Sequence, residues 1–228
     1  MIVNVIINNN KKSADLNEPI DLSLCSKTKN SFKAWYVDEI KTNVIKNDDF
    51  IGSVKDGGTV NFKELLINPH GNMTHTESVG HISKENLFVN NLLPTFHFVA
   101  QLLTIKPEKA TSDGDSGVKK GDYFVDLKHI ENKINPSVKS LIIKTQQDYT
   151  SLHEKTYHNT NWPYLTGNAA NYIRDSGILH LLIDQPSVDK EFDDGKLLAH
   201  MAFWNYPNII DDKRTITELI GVPDGVPD

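Results

Sequence analysis

Three histidines and one glutamate fall within twelve residues, in the run Asn68-Pro-His-Gly-Asn-Met-Thr-His-Thr-Glu-Ser-Val-Gly-His81. His75 and Glu77 stand two positions apart, so in extended chain their side chains leave the same face. His81 follows Gly80, where a turn can swing its imidazole back over that face. Imidazoles and a carboxylate converging on one point form a donor set for zinc or another divalent transition metal. Three histidines and a glutamate this close together point to metal binding or catalysis.

The elements that must hold this cluster follow from the apolar pattern. Val60 to Ile67 reads as a strand leading into it, and Pro69 with Gly71 marks where that strand breaks or bulges. Val3 to Ile7, Ser31 to Tyr36, Phe124 to Leu127 and Leu141 to Thr145 read as further strands. Ile178 to Ile183 is a near-continuous apolar run, the pattern of a strand buried on both faces. Helices are fewer. Thr166 to Asp175 has an N-cap residue and stops at Gly177, and Gly195 to Trp204 and Asp126 to Lys133 are further candidates. Thr111 to Gly121 is a polar, glycine-rich loop that lacks the rest of a calcium loop. The expectation is one α/β domain over residues 1–228, with the repeated Gly-Val-Pro-Asp tail, 221–228, outside the folded body.

Composition removes several function classes. With 24 Lys and Arg against 30 Asp and Glu, the net charge is -6, and no basic cluster with interleaved aromatics is present; nucleic acid is therefore not expected as a partner. A single cysteine, Cys25, rules out an intrachain disulfide and a cysteine-based zinc site. No run approaches the length of a membrane span, and Met1 to Ile7 lacks the order of a signal peptide, so a cytoplasmic location is expected. No Gly-x-Ser-x-Gly, P-loop or Gly-x-Gly-x-x-Gly occurs, which leaves serine-hydrolase and nucleotide chemistry without support. His97, His129, His153, His158 and His180 are read as ordinary core or surface histidines, and Trp162, Tyr164, Phe203 and Trp204 as core.

The cluster resembles the signature His-x-Gly-Thr-His-x-Asp-x-Pro-x-His of the cyclase family of metal-dependent hydrolases, which includes bacterial kynurenine formamidase and isatin hydrolase. Thr74-His-Thr-Glu-Ser-Val-Gly-His81 matches its second half. Pro19-Ile-Asp-Leu-Ser23, Leu182-Ile-Asp-Gln-Pro-Ser-Val-Asp189, His200 and Glu218 resemble further family stretches in the same order. The resemblance implies a swivelling β/β/α fold with a mixed, barrel-like sheet and a few flanking helices, assembled as a homodimer or homotetramer. It implies one or two zinc or manganese ions, with His75 and Glu77 at a first site, Glu77 bridging, and His200 and Glu218 completing a second. His81 would be the acid/base in hydrolysis of an amide, lactam or lactone of a small molecule. Here Glu77 stands for the motif Asp, Met73 for its Gly and Val79 for its Pro, and the first motif His falls at Gly71. His70 is one residue early; on a regular strand it would face away, and a bulge at Gly71-Asn72 would restore it as a ligand. Asp184 and Asp189 are expected to hold the turn after their strand. Two rival readings follow from the departures: a family fold that binds a ligand or partner without hydrolysing it, and a metal that serves stability alone.

Overall fold

A computed structural model describes residues 1–228 apart from Asn8, Pro94, Gln146 and the side chain of Asn10. Near the N-terminus, β1 (Ile2–Ile7) and β2 (Asn10–Asp15) form an antiparallel hairpin, and β3 (Lys41–Val44) pairs antiparallel with β4 (Lys63–Leu66). The short helix α1 (Pro69–Asn72) then leads into β5 (His75–Ser78), followed by α2 (Val89–Leu92) and β6 (Ala100–Thr104). Short strands β7 (Glu108–Lys109) and β8 (Tyr123–Val125) precede α3 (Leu127–Ile130), β9 (Ser140–Lys144) and α4 (Tyr149–Leu152). The chain closes with β10 (Tyr164–Leu165), α5 (Gly167–Asp175), β11 (His180–Ile183), α6 (Leu198–Trp204) and β12 (Thr215–Glu218).

The organising element is a mixed five-stranded sheet in the order β5-β12-β11-β9-β6. Its four strands β12, β11, β9 and β6 run parallel, and β5 joins the β12 edge antiparallel. Strands covered on both faces need apolar side chains on both, which is why β9 and β11 read Ser-Leu-Ile-Ile-Lys and His-Leu-Leu-Ile. Leu141, Ile143, Leu181, Ile183 and Ile216 pack with Ile173 of α5 and Phe203 and Trp204 of α6 in one core. Helix α5 begins where the Thr166 hydroxyl accepts from the Ala169 N–H and ends before Gly177, whose φ of 82° suits glycine. No helix among the described residues is long and apolar enough to cross a membrane.

Several expectations are corrected. Ser31 to Tyr36 is not a strand: only Lys33 bridges, to Thr156, and Trp35 and Tyr36 turn the backbone with φ of 55° and 59°. Val60 to Ile67 contributes only the four residues of β4, and Leu127 leaves β8 to open α3. The helix expected from Gly195 starts at Leu198, because Leu197 is left-handed with φ of 47°. The tail is not loose either. Val222 is buried, the Gly221 N–H donates to the Leu22 carbonyl, and the Asp228 carboxylate accepts from the Thr104 backbone N–H and hydroxyl. Cys25 is exposed and unpaired.

His180 opens β11 as a core histidine, as expected. Its Nδ1 lies 2.6 Å from the Thr215 hydroxyl and its ring packs 3.6 Å from that of Phe98. Burial pushes its pKa down to about 4, so the fold holds it neutral while the unfolded chain titrates it near the ordinary 6.5. The stability from this neutral imidazole is whole above about pH 6.5 and is lost as pH falls towards about 4. Urea denaturation of the native protein and a His180→Gln variant should show their stability gap narrowing across that window. A gap independent of pH would contradict the assignment.

Candidate metal centre

The pairing of β5 with β12 sets the site. Glu218 lies opposite His75 in the antiparallel register, and Glu77 lies opposite Ile216. Alternation along β5 sends His75 and Glu77 to one face, as their spacing requires. The start of β5 is pinned by Thr74, whose hydroxyl accepts from the Leu24 N–H at 2.9 Å and donates to the Leu219 carbonyl. After β5 a single 3₁₀ turn, Val79–His81, returns His81 over the site. Gly80 is required there, because a Cβ would overlap the Leu87 carbonyl.

His70 arrives by a different route from the bulge expected. Pro69 starts α1, so His70 sits on a helical turn rather than a strand, and the face-alternation argument does not apply to it. Its Nδ1 comes within 3.5 Å of Glu77 Oε2. Position 71, where the motif places its histidine, has no room for one: a Cβ would overlap Val37 and come close to the Ala34 carbonyl.

The geometry gathers His70, His75, Glu77, His81, His200 and Glu218. Around Glu77 Oε2 stand His70 Nδ1 at 3.5 Å, His81 Nδ1 at 3.6 Å and His75 Nε2 at 3.9 Å. His75 Nε2 is also 3.6 Å from Glu218 Oε2, and His200 Nε2 lies 2.8 Å from Glu77 Oε1 and 3.8 Å from Glu218 Oε1. Two triads result, His70-Glu77-His81 and His75-Glu77-Glu218, each with ligand atoms within 4.8 Å of one another. Glu77 is common to both. Donors at about 2.1 Å from a tetrahedral ion would stand about 3.4 Å apart, close to the spacings found. Among the described residues, His75 Nε2 and Glu77 Oε2 are buried with no hydrogen-bond partner. Buried polar atoms are ordinarily satisfied, so two orphans aimed into one space fit a cation. The donor set passes that test.

The electrostatics fit the same arrangement. Burial alone would raise the Glu77 pKa, but the His200 hydrogen bond and the charge beside it hold it below the carboxylate range. Burial, reinforced by the Glu77 charge, pushes Glu218 well up. Burial lowers His75 to about 4 and lowers His81, in both cases against the pull of Glu77. His200 is raised despite its burial, because Asp189 and Glu77 accept from its two ring nitrogens.

Asp189 is where the expectation was incomplete. It does hold a turn: its carboxylate accepts from the Ala199 and His200 N–H groups at the start of α6. The same carboxylate takes His200 Nδ1 at 2.6 Å, which aims Nε2 at Glu77. The signal available in sequence was its place in the family stretch 182–189. Asp184 is held by Thr145, through its N–H and hydroxyl, away from the histidines.

A family model described as "Putative cyclase" matches residues 15–190. The chain belongs to the cyclase family. His200 and Glu218 lie beyond the matched stretch, so their place in the site rests on geometry. The fold is similar to that of a potential metal-dependent hydrolase with cyclase activity, at TM-score 0.55 and 14% identity, covering 92% of this chain and 84% of that one. It is similar also to an isatin hydrolase solved with the product analogue thioisatinate, at 0.56 and 13%, covering 91% and 81%. Isatin hydrolase A from Ralstonia solanacearum gives 0.57 and 14%, again covering 91% and 81%. No match was found among curated proteins. At these identities the likeness is one of the cyclase-type α/β fold.

A carboxylate that orients a metal-ligating histidine typically contributes 10- to 100-fold in affinity. Asp189→Asn should therefore weaken zinc binding by about that factor in competition with a chromophoric chelator. Unchanged affinity would mean that His200 is not a ligand.

Proposed function

We propose that this cyclase-family protein is a metal-dependent hydrolase that cleaves an amide, lactam or lactone bond of a small molecule. The observation that carries the reading is the pair of orphaned buried atoms, His75 Nε2 and Glu77 Oε2, among the side chains of His70, His81, His200 and Glu218. His75, Glu77 and Glu218 would hold one divalent ion, zinc or manganese, with His200 and His70 as the adjoining donors and Glu77 available to two. A divalent ion there supplies Lewis acidity towards a carbonyl and towards water. The surroundings push the pKa values of His200 and Glu218 up and so favour their protonated forms; a metal ligand must be deprotonated, so metal uptake would be coupled to proton release.

His81 is the group we assign to proton transfer. It stands at the open side of the cluster with about a third of its side chain exposed, and burial keeps it neutral and able to accept at neutral pH. It would take the proton from water and deliver it to the leaving nitrogen or oxygen. The reading of the chain as a non-catalytic binder drew on the displaced His70 and on Met73 in place of the motif glycine; the approach of His70 Nδ1 to 3.5 Å from Glu77 Oε2 weighs against the first of these grounds.

Formanilides, small lactams and small lactones should be hydrolysed by protein loaded with zinc or manganese. His81→Gln should keep its metal while kcat falls by about 10²- to 10⁴-fold. No turnover of any of these classes would overturn the hydrolase reading, and loss of metal in His81→Gln would make His81 a ligand.

A further inference from the structure

A second cavity lies beyond the carboxyl ends of β6 and β9, towards the edge of the central sheet opposite β5. In parallel sheets ligands settle beyond the carboxyl ends of the strands. Lys106 follows β6 and Thr145 follows β9, and with Lys155, Trp162, Tyr123 and Asn161 they line a cavity of about 380 Å³. None of the metal donors lines it. Trp162 separates the two sites: it walls the cavity, and its indole N–H donates to the Asp189 carbonyl at 3.0 Å.

The charge of this cavity is unusual for the molecule. The protein has a net charge of -6, yet no Asp or Glu is among the residues lining this cavity, while two lysines are. Lysines lining other cavities are paired: Lys119 with Asp113 at 2.8 Å, Lys190 with Asp122 at 3.4 Å, Lys196 with Asp194 at 3.5 Å, Lys41 with Asp38 at 2.6 Å and Lys128 with Glu108 at 2.5 Å. Among the described residues no carboxylate lies within ion-pair distance of Lys106 or Lys155.

Lys155 is the more telling of the two. It is half-buried, its ammonium donates to the neutral amide oxygen of Gln147, and it stands 4.6 Å from the centre of the Tyr157 ring. Burial holds it below the ordinary lysine range, and the nearest negative group, Asp184, is bound behind Thr145 by that residue's N–H and hydroxyl. A half-buried cation without a counter-charge is costly, and an anion in the cavity would offset that cost. The other hydrogen-bonding groups are largely spent: the Thr145 hydroxyl donates to Asp184 and accepts from Gln185, and the indole N–H serves Asp189. A ligand there would meet two ammonium groups and the Tyr123 phenol, with Pro107 and Pro163 as apolar walls.

We propose that this cavity is a binding site, separate from the metal centre, for a small carboxylate with a flat apolar body. The carboxylate meets Lys155 and Lys106, and the flat body lies against the exposed Tyr123 ring and the prolines. The site stands whether or not the metal centre is hydrolytic, because it shares no donor with it.

Benzoate is the probe, titrated calorimetrically into full-length protein stripped of metal with a chelator. One saturable site is expected, retained in a His75→Ala, Glu77→Ala variant and in Lys155→Arg. Lys155→Met should bind about tenfold or more weakly, the loss expected for a charge-assisted hydrogen bond. Benzamide, which has the ring without the charge, should bind weakly by the same margin, and inorganic phosphate, which has charge without the ring, more weakly than benzoate. The proposal is overturned if benzoate does not saturate, if Lys155→Met binds it as the native protein does, if either control ligand matches it, or if the metal-centre variant alone abolishes binding.

Discussion

Glu77 and Glu218 lose their water on two paired strands, and some positive charge has to meet them. Taking a carboxylate out of water is expensive unless it is paired, and two close together repel as well. In the protein alone the conflict is met by protons: Glu218 is pushed towards its neutral form, and His200 is held charged between Asp189 and Glu77. The histidines 70, 75 and 81 then surround the remaining Glu77 oxygen without hydrogen-bonding to it. A divalent cation beside His75 Nε2 and Glu77 Oε2 would pair the two buried atoms that protons leave without a partner.

The fold can be understood as what keeps that arrangement from relaxing. The β5–β12 register places Glu218 opposite His75, and β12 is in turn fixed by the buried parallel strands β11, β9 and β6. The segment after β11 carries Asp189, which aims His200, while the Val188 N–H donates to Glu218 Oε1 at 2.9 Å. One stretch of chain therefore positions donors from two other elements. Side chains held on strands and by buried hydrogen bonds have little freedom, which a preorganised ligand set needs.

Much of this was legible in the sequence, for identifiable reasons. The period-2 spacing of His75 and Glu77, the turn at Gly80 and the apolar run before Ile183 are local patterns, and each produced the local structure it implies. His70 was placed by the wrong local geometry, since Pro69 starts a helical turn instead of a bulge. Ser31 to Tyr36 has the composition of a strand, but Trp35 packs edge-on against Trp162 at 4.9 Å, and tertiary contact overrides propensity there. The tail reads as turns because it is turns; what composition could not convey is that Val222 and Asp228 dock against the rest of the chain. The second role of Asp189 was likewise hidden, because it depends on a helix that starts nine residues on in sequence.

The central claim is that Glu77 is the shared ligand of a metal centre. Elemental analysis of native protein and of Glu77→Ala, both folded by circular dichroism and both incubated with zinc and manganese before dialysis, tests it most directly. The account predicts about one or two equivalents of metal in the native protein and none in the variant, since Glu77 is available to two ions. Metal-free native protein, or a variant that retains the native amount, would contradict it.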